Sequence, residues 1–152
     1  VEEVDLGVLL SNSVDLFTES DEAEVIFVNN THGNERVNYD KEHLVRVFNN
    51  LIKNALQAIP HDQEGQIEVI LSRKDASVLV EVKDNGTGIE SDKMDKIFVP
   101  NFTTKSKGMG LGLSMVRSIV ENAGGEVWFE TEVGKGTSFF VRLPLVINDD
   151  QG

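Results

Sequence analysis

The sequence predicts a two-layer α/β sandwich, in which a mixed, mostly antiparallel sheet carries about three helices on one face. Three observations favour this fold class. Strand-like and helix-like segments interleave along the 152 residues, but without the strict alternation of a parallel α/β protein. Several neighbouring strands are joined by short polar connections, which is typical of hairpins. One long segment carries an apolar stripe at helical spacing and could cover the sheet.

The N-terminal part of the chain predicts an extended lead-in, one helix and two short strands. Residues 4–6 are extended, and apolar residues then recur at helical spacing over residues 7–19. Residues 24–29 alternate with β-branched side chains, and residues 35–39 form a second short run after a polar connection. We therefore predict that these two strands pair as a hairpin.

The second helix has the clearest pattern in the chain. Asp40 is a good N-cap, and Pro60 marks the end of the helix. The apolar stripe between these two residues consists of Leu44, Val47, Phe48, Leu51, Ile52, Ala55 and Ile59. Such a stripe predicts a helix that packs on the sheet.

Two strands follow, over residues 66–74 and 78–83, and the second runs directly into a glycine-rich turn at 84–88. A short helical piece is predicted around residues 91–98. The segment 99–108 has no apolar periodicity and reads as a loop of the kind that closes over ligands.

The C-terminal part predicts a helix and a hairpin. Leu113, Val116, Ile119 and Val120 define a third helix that ends at two glycines, Gly124 and Gly125. The strands of the final hairpin span residues 126–131 and 137–143. We assign residues 1–147 to one domain and residues 148–152 to a polar tail.

Composition limits the classes of partner. Fourteen basic and 26 acidic residues give a net charge of −12, which disfavours nucleic acid and membrane surfaces but not a small anionic ligand. No cysteine is present, no apolar run could span a bilayer, and no signal peptide is recognisable. We expect a cytoplasmic location. Because the chain starts at Val1, we also expect a fragment whose membrane or sensor parts, if any, lie upstream.

The first candidate site lies on the second helix. Asn50 and Asn54 are four residues apart, so their amides share one surface beside the apolar stripe. An amide oxygen is a hard, neutral ligand that can complete the shell of a Mg²⁺ held by phosphates and water. Asn54 is the candidate for that ligand. The alternative is that Asn50 and Asn54 are ordinary polar surface residues.

The second candidate site is the turn Asp84-Asn85-Gly86-Thr87-Gly88. Its glycines allow a close approach of backbone to a ligand, and a buried Asp84 could accept a hydrogen bond from the exocyclic amino group of adenine. A guanine carbonyl at the same place would leave the carboxylate unpaired. The alternative is a simple Asn-Gly turn, although the residues after it do not read as a returning strand.

The third candidate site is Gly108-Met109-Gly110-Leu111-Gly112-Leu113, with glycines at every second position immediately before a helix. Backbone N–H groups at such a helix start can bind phosphates. The spacing matches neither the Walker A pattern nor the dinucleotide fingerprint. A flexible glycine hinge is the alternative.

Taken in order, these segments resemble the successive boxes of histidine-kinase ATP-binding domains. The segments are residues 50–55, 84–88, 98–105 (Phe-Val-Pro-Asn-Phe-Thr-Thr-Lys), 108–113 and 134–138 (Gly-Lys-Gly-Thr-Ser). The resemblance runs from about Val4 to Leu145. It implies the Bergerat ATP-binding fold, with ATP and Mg²⁺ as ligands.

The resemblance also implies roles for individual residues. Asn54 would coordinate Mg²⁺, Asn50 would support the phosphates or the water shell of the metal, and Lys105 would hold phosphate, so these three would be the catalytic residues. Asp84 would bind adenine. The remaining ATP-binding positions would be Gly86, Gly88, Ile89, Phe98, Thr104, Gly108, Gly110, Leu111, Gly112, Leu113 and Thr137, with residues 100–108 as a short lid of the nitrogen-regulation type.

The same resemblance extends to hydrolases, namely the heat-shock chaperone, gyrase and mismatch-repair ATPases. Those enzymes place a glutamate four residues before the metal-binding asparagine, as base for the attacking water, whereas this chain has Asn50 there. An amide cannot take that proton, so transfer to another nucleophile is favoured. An ATPase-type conformational clamp and a nucleotide-sensing pseudo-kinase stay as alternatives.

The resemblance implies a phosphoryl donor whose acceptor is outside this chain. In the family, the acceptor histidine stands on a helical dimerisation domain and is followed by an acidic residue. His32, His43 and His61 lack that setting, so we expect binding of ATP without efficient autophosphorylation. The implied partners are that dimerisation domain and, downstream, a response regulator.

Overall fold

The computed structural model describes residues 1–18, 23–31, 33, 35–99 and 109–146, the backbone alone for 109–111. Within this part of the chain, three α-helices lie on one face of a five-stranded mixed sheet. The predicted two-layer α/β sandwich is confirmed. The predicted tail, residues 148–152, lies outside the described residues.

The three helices are α1 (Leu6–Asp15), α2 (Lys41–Gln57) and α3 (Met109–Asn122), and a single 3₁₀ turn spans Ser91–Lys93. Asp40 caps α2 as predicted, because its carboxylate accepts the N–H groups of Glu42 at 2.9 Å and His43 at 3.3 Å. Asp5 caps α1 through Val8 at 3.2 Å. No helix in the described ranges is both long and apolar enough to cross a membrane.

The strands are β1 (Glu2–Asp5), β2 (Ala23–Asn29), β3 (Arg36–Tyr39), β4 (Gly65–Lys74), β5 (Ser77–Asp84), β6 (Glu126–Glu132) and β7 (Gly136–Pro144). The main sheet has the order β2-β4-β5-β7-β6, and only its β2–β4 pair is parallel. The hairpin β6–β7 agrees with the prediction, and the two successive strands predicted at residues 66–74 and 78–83 also pair as a hairpin, β4–β5. β1 and β3 form a separate antiparallel ribbon.

The predicted hairpin between residues 24–29 and 35–39 is wrong. β2 pairs in parallel with β4, and the N–H of Asn30 continues this pairing by donating to the carbonyl of Leu71 at 2.8 Å. β3 pairs with β1 instead, and Leu6 extends that ribbon by donating to Glu35 at 2.9 Å. Alternation identified both strands, but it contains no information about which strand is the partner.

The core lies between the helices and the inner face of the sheet. All seven residues of the predicted stripe are buried, although the seventh, Ile59, lies just after the end of α2. Five of them are fully buried, namely Leu44, Val47, Phe48, Leu51 and Ile52. On β5, Val78, Val80 and Val82 alternate towards the same core, which places the next inward position at Asp84. A carboxylate thus occupies the end of an otherwise apolar inner strand face.

Candidate nucleotide-binding site

Asp84 is the centre of the candidate site. Its side chain is only 5% exposed, and its Oδ1 accepts the N–H groups of Gly86 at 2.8 Å and Thr137 at 3.2 Å. No described residue donates to Oδ2. One oxygen of the carboxylate is therefore fixed by the backbone, and the other can accept a hydrogen bond from a ligand.

Burial raises the pKa of Asp84 to about 6, although the hydrogen bonds from Gly86 and Thr137 lower it. At neutral pH the carboxylate is still ionised and can only accept hydrogen bonds. A buried acceptor without a full set of partners is well suited to a ligand that brings a donor.

The turn after Asp84 is held between α2 and the β6–β7 turn, so it is not a simple hairpin turn. A Cβ on Gly86 would lie 2.5 Å from the carbonyl oxygen of Ala58, and the N–H of Thr87 donates to that same oxygen at 3.1 Å. Gly88 has φ +79°, and a Cβ there would meet the carbonyl oxygen of Glu132 at 2.5 Å. Both predicted pocket glycines are thus required by close backbone contacts.

Asn54 lies one turn before Ala58 on α2, and its carbonyl accepts the Ala58 N–H at 3.2 Å. Its side chain is half-buried, and no described residue hydrogen-bonds to its amide. A hard oxygen without a competing partner in the described part of the chain fits a Mg²⁺ that arrives with a nucleotide. The described residues contain no cluster of three or more His, Asp or Glu that could hold a metal.

Asn50 has a more structural environment than its predicted role suggests. Its Nδ2 donates to the carbonyl of Arg46 at 2.8 Å, and a Cβ on Gly112 would lie 2.9 Å from its Oδ1. Gly112 therefore lets α3 approach α2 closely at this amide. The two asparagines share one side of α2, as their spacing predicts.

The prediction that the glycines of residues 108–113 precede the third helix needs a correction. α3 begins at Met109, so Gly110 and Leu111 lie in its first turn and Gly112 lies just beyond them. The N–H groups of the first turn have no acceptor within the helix, so those of Gly110 and Leu111 can still donate to a phosphate. The N–H of Gly112 can instead donate to a carbonyl of the helix. Thr104, Lys105, Gly108 and the predicted lid at 100–108 lie outside the described residues.

Three apolar residues of the predicted ATP-binding set, Ile89, Phe98 and Leu113, occupy different environments. Leu113 is 7% exposed and belongs to the core, and Ile89 is partly buried and packs against the core. Phe98 is held by aromatic contacts with Phe129 and Phe139 at centroid distances of 6.1 and 6.3 Å. Ile89 is tied to β6 by the hydrogen bond from its N–H to Thr131, and Phe98 packs on β6 and β7, so these two lie against the strands next to Asp84.

Thr137 is next to Asp84 in the β5–β7 register, and Thr131 is next to Thr137 in the β6–β7 register. These three residues form one polar row on the inner face of the sheet, and the two threonine hydroxyl oxygens are 2.8 Å apart. Sequence analysis missed Thr131. The signal was its position six residues before Thr137 across the hairpin turn, which predicts the contact once the register is known.

The fold and the order of its motifs define the class: an ATPase-type α/β sandwich with a carboxylate at the end of a central strand. Residues 39–147 match the family described as histidine kinase-, DNA gyrase B-, and HSP90-like ATPase. The chain belongs to this family.

Within the family, the chain is similar to sensor histidine kinases. It is 41% identical to the sensor histidine kinase ZraS of Escherichia coli K12 over 154 residues, which cover 98% of this chain and 32% of that protein. It is 38% identical to sporulation kinase D of Bacillus subtilis over 105 residues, which cover 69% of this chain and 20% of that kinase. The chain thus spans a third or less of the length of these relatives.

The solved structures agree. The catalytic domain of the histidine kinase ThkA, in a nucleotide-free form, superposes with a TM-score of 0.82 at 32% identity and covers 93% of both chains. Full-length ShkA in complex with AMPPNP also superposes with a TM-score of 0.82 over 95% of this chain and 31% of its own, but at 24% identity it supports the fold alone. The chain is an ATP-binding catalytic domain of the sensor histidine kinase type.

Proposed function

We propose that this domain presents Mg·ATP for transfer of the γ-phosphate to a histidine on a dimerisation domain outside this chain. Adenine would bind at Asp84, Asn54 would hold a Mg²⁺ that neutralises phosphate charge, and the start of α3 together with Lys105 would bind the phosphates. The acceptor imidazole nitrogen attacks the γ-phosphorus, the bond to the β,γ-bridging oxygen breaks, and ADP leaves. A response-regulator aspartate is the later acceptor.

The observation that carries the proposal is the half-satisfied carboxylate of Asp84. It is buried at a strand end, it is anchored through Oδ1 by two backbone N–H groups, and its Oδ2 accepts from no described residue. The exocyclic amino group of adenine supplies the missing donor. A 6-oxopurine such as guanine places a carbonyl there, so that neither Oδ2 of Asp84 nor the carbonyl oxygen of the base receives a donor, which disfavours it.

The residues on α2 favour transfer over hydrolysis. Asn50 stands where the hydrolases of this family carry the glutamate base, and its amide nitrogen donates to the carbonyl of Arg46. An amide cannot accept a proton from an attacking water. The domain therefore contributes positioning and charge neutralisation, which are the main requirements of phosphoryl transfer.

Calorimetric titration tests the binding site directly. We expect AMPPNP to bind with an affinity that Mg²⁺ increases, and GTP to bind much more weakly. Absence of binding with and without Mg²⁺ would contradict the proposed function. Equal affinities for AMPPNP and GTP would contradict the assignment of Asp84 as the residue that recognises adenine.

The variant Asp84→Asn tests whether Asp84 recognises adenine. We expect it to lose about 1.5 to 3 kcal/mol of adenine-nucleotide binding, because a charged hydrogen bond is lost. Asp75→Asn is the matched control, since Asp75 lies on an exposed turn at the other end of β5 and has φ 57°, which asparagine also adopts. An unchanged affinity of Asp84→Asn for adenine nucleotides would show that adenine binds elsewhere.

A further inference from the structure

We propose that Thr131 is a positioning residue that fixes the direction of the hydroxyl hydrogen bonds beside Asp84, and that it thereby strengthens selection of adenine over 6-oxopurines. The inference rests on the proposed function, since it concerns the base pocket of that site. It adds a residue on β6 that the resemblance did not single out.

Thr131 connects three parts of the site through one oxygen. Its Oγ1 accepts the N–H of Ile89 at 2.9 Å, lies 3.2 Å from the carbonyl oxygen of Gly136, and lies 2.8 Å from Oγ1 of Thr137. Ile89 directly follows the glycine turn, and Gly136 begins β7. A single hydroxyl thus joins the segment after the turn to the β6–β7 hairpin.

Counting protons gives these hydrogen bonds a direction. A threonine hydroxyl donates one hydrogen bond and accepts up to two. The Gly136 carbonyl can only accept and the Ile89 N–H can only donate, so all three contacts of Thr131 are hydrogen bonds together only if Thr131 donates to Gly136. The hydroxyl proton of Thr137 must then point towards Thr131.

This direction decides what Thr137 offers to a ligand. With its proton held by Thr131, the Oγ1 of Thr137 keeps only lone pairs, and the neighbouring carboxylate of Asp84 is also an acceptor. The backbone contact between the two residues, from the Thr137 N–H to Asp84 Oδ1 at 3.2 Å, keeps them adjacent. The end of the polar row is thus complementary to N–H or water donors and unfavourable to a carbonyl.

The test compares ATP with inosine triphosphate, which differs at purine position 6 by a carbonyl in place of the amino group. The measured quantity is the dissociation constant of inosine triphosphate divided by that of ATP. We expect Thr131→Val to lower this ratio by about threefold to tenfold, because the Thr137 hydroxyl becomes free to donate to the purine carbonyl. The loss of the acceptor for Ile89 affects both nucleotides alike and cancels in the ratio. Thr131→Ser is the matched control, since it keeps the hydroxyl, and its ratio is expected to equal that of the wild type.

Each outcome has a distinct meaning. An unchanged ratio in Thr131→Val, with ATP still bound by the wild type, would overturn the inference and leave the proposed function in place. An equal loss in Thr131→Ser and Thr131→Val would also overturn it, because packing and not the hydroxyl would then be responsible. A wild-type protein that binds neither nucleotide would overturn the proposed function and this inference with it.

NMR of the wild type provides a test that does not depend on the folding of a variant. We expect a slowly exchanging hydroxyl proton of Thr131 with a scalar coupling across the hydrogen bond to the carbonyl carbon of Gly136. A visible Thr131 hydroxyl proton without that coupling would show that it points to Thr137, which is the opposite direction.

Discussion

At the scale of single residues, Asp84 combines its proposed binding role with a cost in stability. Desolvation makes its ionised form unfavourable in the folded protein, and the two backbone N–H groups on Oδ1 offset only part of this cost. A ligand that donates to Oδ2 would offset more of it. The free domain is therefore less stable than the same fold with a neutral group at this position.

We predict a pH dependence of stability that is specific to Asp84. Because the folded pKa of about 6 lies above the ordinary aspartate pKa of 3.8, the folded state holds up to one proton more than the unfolded state between these two pH values. The stabilisation is present below about pH 4 and is lost as pH rises through 6, by an amount on the order of 2 to 3 kcal/mol. Urea unfolding of wild type and Asp84→Asn from pH 4 to 7.5 measures it.

The comparison isolates this carboxylate because all other titrating groups are common to both proteins. The unfolding free energy of Asp84→Asn relative to wild type should increase with pH over this range. A difference that stays constant from pH 4 to 7.5 would contradict the raised pKa.

The residue scale also shows the limit of sequence reasoning. Asp84 could be singled out because a carboxylate followed by Asn85 and Gly86 at the end of an apolar strand is unusual. Thr131 could not be singled out, because a threonine in a strand is common and only the β6–β7 register places its hydroxyl against Thr137. Chemistry that depends on register is invisible until strand partners are known.

At the scale of elements, α2 has two faces with separate tasks. Its buried face fills the core with fully buried residues such as Leu51, whereas Asn54 is half-buried and has no hydrogen-bond partner for its amide among the described residues. Periodicity alone predicted this division, because a helix places the two sets on different sides.

The two faces give a paired prediction. Asn54→Ala should leave the unfolding free energy within about 0.5 kcal/mol of wild type, since no buried contact is lost, but should abolish the gain in ATP affinity that Mg²⁺ provides. Leu51→Ala should cost about 2 to 5 kcal/mol of stability through the cavity it creates. Chemical denaturation and titration with and without Mg²⁺ distinguish them, and an undiminished Mg²⁺ effect in Asn54→Ala would remove the metal assignment.

The contact between the end of α2 and the glycine turn gives a second prediction. In Gly86→Ala the new Cβ would lie 2.5 Å from the Ala58 carbonyl oxygen, which is backbone and can move only if the junction opens. We expect a loss of about 1 to 3 kcal/mol in stability together with weaker ATP binding.

Gly33→Ala is the control for this change, because a Cβ at Gly33 meets nothing within 4 Å. It should alter stability by less than about 0.5 kcal/mol and leave ATP affinity unchanged. If the two variants have equal unfolding midpoints, the junction at Ala58 does not restrict position 86.

Sequence patterns predicted elements better than their partners. The three helices and the hairpins β4–β5 and β6–β7 are local features that propensity, caps and turns specify. The pairing of β2 with β4 joins residues separated by β3 and the whole of α2, so it depends on how the core packs. That is why the strands at 24–29 and 35–39 were found but were given the wrong partner.

At the scale of the whole molecule, the chain holds a donor site without a suitable acceptor in the described residues. His43 lies in the first turn of α2, with its ring 6.1 Å from that of Tyr39, and His61 follows the end of the same helix. His43 lies in a helix but is followed by Leu44, and His61 is followed by Asp62 but lies outside a helix, so neither combines the two features of the family's acceptor. The net charge of −12 also fits a domain whose ligand is small and carries its own cation.

We therefore predict that the isolated chain binds ATP but does not label itself. Incubation with ATP labelled at the γ-phosphate, followed by an alkaline quench and electrophoresis, should show no incorporation above background. Release of inorganic phosphate should be equally low, because Asn50 provides no base. Stoichiometric label on a histidine of this chain would contradict the proposed division between donor and acceptor domains.

Near its C-terminal end, the chain returns to the β1–β3 ribbon, and this contact lies far from the proposed nucleotide site. The N–H of Val146 donates to Arg36 on β3 at 2.8 Å, and Leu145 donates to Ala76 just before β5 at 2.9 Å. Asp84 lies at the far end of β5, eight residues and roughly 25 Å away. If a body attached at this corner tilted the domain by about 30°, the proposed base pocket would move by roughly 13 Å, because it lies a full strand length from the corner.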